Sequence, residues 1–155
     1  MNSTSILLVD DSDDDVELTL RAFRSHGATP EIYVARDGDE AIATLFGSST
    51  TPPQRVPTLV LLDLKLPGLT GFEVLSRIRA HPRTRLVPVV ILTHSTERAD
   101  LVDAYGLGAN SYVRKPVSFR DFVEAAGLMS RYWLTLNEQP EPARLTVING
   151  PRDPQ

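Results

Sequence analysis

Cysteine is missing from this 155-residue chain, which removes disulfide frameworks, thiolate nucleophiles and cysteine-based zinc sites from consideration. No apolar stretch approaches the ~20 residues that a membrane-spanning helix needs. The opening residues Met1 to Ser5 have neither the basic segment nor the apolar core of a secretory signal, so a cytoplasmic location is expected. Lysine and arginine form no cluster and the net charge is −4, which together argue against a nucleic-acid-binding surface. What remains is an ordinary globular composition, 41% hydrophobic and 23% charged. The length suits one domain that buries roughly two-thirds of its unfolded surface.

Four short apolar runs each end on a polar residue able to do chemistry. Ile6–Val9 leads into Asp10 and Asp11, Leu59–Leu62 into Asp63, Val89–Leu92 into Thr93, and Ser111–Arg114 into Lys115 and Pro116. Runs of this length, rich in Val, Leu and Ile and bounded by turn residues, read as strands buried on both faces. Parallel sheets bind ligands at the carboxyl ends of their strands. One sheet edge is therefore expected to gather three carboxylates, a hydroxyl and an ammonium.

Stretches of helical periodicity separate the runs. Val16, Leu20 and Phe23 precede Gly27, which is expected to close the first helix. A short second strand, Glu31–Ala35, comes before a helix carrying Ala41, Ile42 and Leu45, and later helices carry Phe72, Leu75 and Ile78, then Leu101, Val102 and Tyr105. Ser12 with Asp15, Asp37 with Glu40, Thr70 with Glu73 and Ser118 with Asp121 each fit an N-cap followed three residues on by an acid. The fold class predicted is α/β: a doubly wound, five-stranded parallel sheet of order 2-1-3-4-5 (flavodoxin-like) with helices on both faces. Its switch point falls between strands one and three, beside Asp10, Asp11 and Asp63. Gly47–Pro57, with three prolines, is expected as an exposed loop. The last helix, followed through Phe122, Ala126, Met129, Trp133 and Leu136, runs longer than the fold requires. The domain is expected to span 5–137, with 138–155 a proline-containing tail in which Leu145–Ile148 is apolar.

Clustered carboxylates repel one another unless a cation intervenes. An all-oxygen set favours Mg²⁺, with Mn²⁺ as the alternative, over zinc. A carboxylate is also a nucleophile that forms an aspartyl-phosphate, and a metal ion with a nearby ammonium offsets phosphoryl charge. Phosphorylation of Asp63, with Lys115 and Thr93 on the phosphoryl oxygens, is the expected outcome.

The run Ile6 to Asp11, Leu59 to Gly68 with Asp63, Val89 to Thr93, and Tyr112 to Pro116 resemble the motifs of two-component response-regulator receiver domains, in order, from residue 5 to about 130. The resemblance implies that Asp63 is the phospho-acceptor, Asp11 a direct Mg²⁺ ligand and Asp10 a ligand acting mainly through metal-bound water. The Lys65 backbone carbonyl would complete the protein ligands. Thr93 would be the switch hydroxyl, Tyr112 the aromatic that rotates inward behind it, and Lys115 the partner of the phosphoryl oxygen, with a cis peptide before Pro116. It also implies a sensor histidine kinase as phosphoryl donor and an output made by binding or by onward relay, since the residues after 137 leave no room for an output domain. Thr93-His94-Ser95, the proline loop and Tyr132-Trp133-Leu134 resemble the single-domain regulators paired with bacterial phytochromes. Members of that group dimerise through the face of the fourth helix, fifth strand and fifth helix, and a homodimer is expected here, with Trp133 and Tyr132 in the surplus apolar surface. The rival is a phosphatase of the haloacid-dehalogenase type, which needs a second acid two residues after its nucleophile, where this chain has Lys65. A degenerate receiver serving as a scaffold is the third reading.

Other polar residues have plainer expectations. Asp13, Asp14 and Asp15 lack calcium-loop spacing and are expected to sit in a first helical turn, complementing the macrodipole, with some influence on the metal from outside its ligand set. His26 is read as a C-terminal helix residue, His81 as solvated, and His94 as lying over the mouth of the acidic pocket. Lys65 is expected to point outward, where its charge impedes attacking water and slows loss of phosphate.

Overall fold

The computed structural model describes residues 4–26 and 30–140. The order of elements is β1 (Ser5–Val9), α1 (Asp13–Arg24), β2 (Glu31–Ala35), α2 (Gly38–Phe46), β3 (Leu59–Leu62), α3 (Gly71–Ala80), β4 (Val89–Thr93), α4 (Arg98–Gly106), β5 (Ser111–Arg114) and α5 (Phe119–Met129). The five strands are parallel and lie in the order β2-β1-β3-β4-β5. Gly27 and Leu145–Ile148 lie outside the described residues. Among the described residues, no helix is long and apolar enough to cross a membrane.

Strand alternation divides the core in two. Leu7, Val9, Val60, Leu62, Val89 and Ile91 face α2, α3 and α4, packing with Ala41, Leu45, Leu75, Ile78 and Ala104. Ile6, Leu8, Leu59, Leu61, Val90 and Leu92 face α1 and α5, packing with Val16, Phe23, Phe122 and Ala126. Both faces are covered, which is why these strands read as unbroken apolar runs.

Register places the chemistry. Val9 pairs with Leu62, so the next residues, Asp10 and Asp63, emerge side by side. Thr93 pairs with Arg114, which sets Lys115 just beyond the end of β4. The ladder continues one step past the strands, with the Asp10 N–H donating to Ala35 O, the Asp63 N–H to Val9 O and the Lys115 N–H to Thr93 O, at 3.0, 3.0 and 2.8 Å. These backbone bonds fix the Cα of each polar residue before its side chain is considered.

All four sequence-marked N-caps form. Ser12, Asp37, Thr70 and Ser118 accept the N–H groups of Asp15, Glu40, Glu73 and Asp121, and Thr70 with Glu73 closes a reciprocal capping box. The loop after α2 is largely exposed, as its prolines suggest. It is tacked down by the Arg83 guanidinium, which donates to the carbonyls of Leu45 and Gln54, each at 2.6 Å. The last helix continues beyond α5, but Ser130–Leu136 widens into π-helical turns, the Asn137 N–H reaching the Tyr132 carbonyl at 2.7 Å. Helical periodicity signals the extension but not the wider turn.

Gly71 opens α3 directly beneath the β3 exit. A Cβ there would lie 2.2 Å from the Asp63 carbonyl oxygen and 2.6 Å from Leu64 Cα, both backbone atoms. Gly71→Ala is therefore expected to cost about 1–3 kcal/mol, the usual range for an overpacked site, and to displace the Asp63 peptide. Urea denaturation checks the first effect, and an unchanged midpoint would contradict it.

Candidate functional site

The carboxyl edge of the sheet brings together Asp10, Asp11 and Asp63, whose ligand oxygens all lie within 4.8 Å of one another. Asp10 and Asp63 are buried and Asp11 is exposed. Between the acids sits the Lys115 ammonium, whose side chain is 1% exposed. It donates to Asp10 Oδ2 at 2.7 Å, Asp63 Oδ2 at 2.8 Å and Asp15 Oδ2 at 2.9 Å. An ammonium has three donors, and all three are used. The second oxygens are also engaged: Asp10 Oδ1 accepts the Ser12 N–H at 3.0 Å and Asp63 Oδ1 the Lys65 N–H at 3.2 Å.

Burial pushes the Asp10 carboxyl above its ordinary pKa, and the bonds from Lys115 and the Ser12 N–H offset this only in part. Burial acts the same way on Asp15, but the Lys115 and His94 contacts outweigh it and hold this carboxyl below its ordinary value. For Lys115, burial opposes the charged form, yet the bonds to Asp10, Asp63 and Asp15 prevail and raise its pKa. The ammonium is thus firmly charged, and four carboxylates still outnumber it. That excess of negative charge, on an all-oxygen donor set, fits a hard divalent cation.

Asp15 escapes the reading as a mere first-turn acid. In α2 and α3 the acid at the third helical position reaches back to a backbone N–H, Glu40 to Arg36 and Glu73 to Thr70. In α1 the corresponding Ser12 N–H is already taken by Asp10, which frees the Asp15 carboxylate to turn inward. The sequence signal was Asp10 itself, two residues before the cap. Asp13 keeps its exposed role and pairs with Arg36.

The remaining predicted residues fall as follows. His94 is exposed at the pocket mouth, its Nε2 3.0 Å from Asp15 Oδ2. Thr93 is fully buried, and its Oγ1 accepts the Ser95 N–H at 3.3 Å. The half-buried Tyr112 hydroxyl points at the Ser95 carbonyl across 3.5 Å, a weak contact. The Lys65 side chain is largely exposed and leans to 3.7 Å from Asp100 Oδ2. Asp100, which the sequence reading passed over, also accepts the Ser95 hydroxyl at 2.6 Å. The expected cis peptide before Pro116 is a correction: no described peptide bond is cis. The trans form is favoured by about 0.5–1 kcal/mol before proline, and Lys115 is aimed by its three carboxylates and its N–H bond to Thr93. His26 extends beyond a dipole role, its Nε2 meeting the Val123 carbonyl of α5. His81 is exposed, tilted against Phe46 with ring centroids 4.8 Å apart. Trp133 packs on the α1–α5 side of the core, while Tyr132, edge-on to it, is exposed.

Residues 6–127 match the response regulator receiver domain family, and the chain belongs to that family. It is 43% identical over 138 residues to the probable methanogenesis regulatory protein FilR2 of Methanothrix harundinacea, covering 89% of this chain and 88% of that protein. The crystal structure of the Mn²⁺-bound form of response regulator Rcp1 superposes with a TM-score of 0.80 at 33% identity, covering 88% of this chain and 99% of the other. The bacteriophytochrome response regulator AtBRR superposes with a TM-score of 0.70 at 43% identity, covering 89% and 100%. The chain is thus a receiver whose similar structures include phytochrome-associated single-domain regulators.

Lys115 is the structural counter-charge of the edge. Lys115→Met leaves buried carboxylates unpaired and is expected to lower stability by about 3–5 kcal/mol without divalent cations. A raised lysine pKa contributes stability that is fully present below the unfolded value of about 10.4 and lost above it. The gap should therefore hold through neutral pH and close in acid, as the pH falls through the depressed pKa of Asp15. Urea titrations of both proteins across pH check this, and coincident curves at neutral pH would contradict it.

Proposed function

We propose that this chain is a single-domain response regulator, a receiver over 5–137 with a tail over 138–155, that accepts a phosphoryl group on Asp63 from the phosphohistidine of a sensor histidine kinase. The observation that carries the reading is the juxtaposition of the Asp10–Asp11–Asp63 cluster with a buried ammonium bonded to Asp63. An Asp63 oxygen forms the new bond to phosphorus as the phosphorus–nitrogen bond to histidine breaks, and the imidazole leaves with the electron pair. Asp11, Asp10, Asp63 and the Lys65 carbonyl would hold Mg²⁺, which when bound supplies positive charge to the phosphoryl oxygens. Lys115, already 2.8 Å from Asp63, supplies a second.

The readout is a change of shape. Thr93 moves toward the phosphoryl group, giving up the Ser95 N–H, and Tyr112 follows into the space behind it. Ser95 is bonded to Asp100 in the first turn of α4, so this rearrangement reaches the α4 face. Exposed Val102, Tyr105 and Leu107 on or beside α4, with Leu128, Tyr132 and Leu136 along the last helix, support a homodimer on the α4–β5–α5 side. The likeness to bacteriophytochrome regulators supports a phytochrome kinase as the donor. The chain's only turnover is then its own phosphorylation and dephosphorylation. The haloacid-dehalogenase reading is disfavoured, because Lys65 stands where that chemistry needs an acid and the family is that of receivers.

Incubation with Mg²⁺ and phosphoramidate, followed by intact-mass measurement, is expected to show one added phosphoryl group that disappears in Asp63→Asn. Steady hydrolysis of phosphomonoesters would instead favour the phosphatase, and no adduct the scaffold.

A further inference from the structure

Among the described residues, Asp15 is the one carboxylate bonded to Lys115 that lies outside the Asp10–Asp11–Asp63 cluster. A divalent cation held by that cluster and the Lys115 ammonium would share the oxygens of Asp10 and Asp63, and like charges repel at such distances. Two of the three anchors of Lys115 would weaken together. No fourth carboxylate pairs with it among the described residues. We infer that Asp15 is a positioning residue that retains Lys115 in the pocket when the acidic cluster turns to a divalent cation, so that the ammonium stays aimed at Asp63 for the arriving phosphoryl group. The inference rests on the reading of the cluster as a metal site.

The local architecture suits Asp15 to this work. Its carboxylate is free of the helix cap because Asp10 already holds the Ser12 N–H. Its backbone is fixed by the Ser12 hydroxyl at 3.3 Å, and its Oδ2 also meets His94 Nε2 at 3.0 Å. Asp15 therefore ties Lys115, just after β5, to the β4 exit and to α1 at once. A flexible lysine needs such a tether: its side chain carries about 2 kcal/mol of rotamer entropy, and its charge recognises no direction by itself.

The test follows the Lys115 ammonium as Mg²⁺ is added at neutral pH and constant ionic strength, with binding itself checked by titration calorimetry. Without Mg²⁺ the ammonium resonance is expected in both the wild type and Asp15→Asn, because Asp10 and Asp63 hold it in either protein. With Mg²⁺ bound, the Lys115 ammonium resonance in nitrogen-detected NMR is expected to persist in the wild type and to broaden or vanish in Asp15→Asn; an unchanged signal overturns the inference. A wild-type protein that binds no Mg²⁺ defeats the metal-site reading itself, and the inference falls with it.

Discussion

The ammonium of Lys115, buried among carboxylates from three separate elements, is the contact on which the rest of this structure depends. Asp10 follows β1, Asp63 follows β3 and Asp15 lies on α1, and each bonds the same nitrogen within 3 Å. Burying these charges singly would cost several kcal/mol each. They are tolerable only together, with all three ammonium donors engaged. Lysine suits the position better than arginine, since a compact ammonium with three rotatable donors meets acceptors converging from three directions, whereas a planar fork does not.

This constraint makes sense of the sheet. In-register pairing of Val9 with Leu62 and of Thr93 with Arg114 brings the strand ends level, and the two apolar layers hold that edge rigid. The loops beyond it are free to carry chemistry. The same arrangement links chemistry to shape, because Thr93, Ser95, Asp100, Lys65 and Tyr112 form a connected polar set between the β3 exit and α4. In the proposed function, a charge added at Asp63 acts first on the edge and then on that set. The four carboxylates around one lysine leave the edge with an excess of negative charge, which fits a divalent cation.

Much of this was legible in the sequence because the signals were strong and local. Apolar runs bounded by turn residues located four of the five strands to within a residue, and Ser/Thr/Asp caps with an acid three residues on located four helix starts. Asp10, Asp11, Asp63, Thr93 and Lys115 were legible because each ends or follows a strand. Asp15 and Asp100 were not, because first-turn acids are common for reasons of helix dipole and capping. Only competition for the Ser12 N–H reveals that Asp15 is released. The π-helical turns after Met129 depend on packing that periodicity does not encode.

The central claim, that this edge carries uncompensated negative charge organised for a divalent cation, is tested most directly by thermal unfolding of the wild-type protein across a Mg²⁺ series. Binding to the folded state alone stabilises by about 2.7 kcal/mol when the ion reaches 100 times its dissociation constant. The Tm is expected to climb steadily with the logarithm of Mg²⁺ concentration and barely to respond to Na⁺ at matched ionic strength. A Tm indifferent to Mg²⁺, or one raised equally by Na⁺, would contradict it.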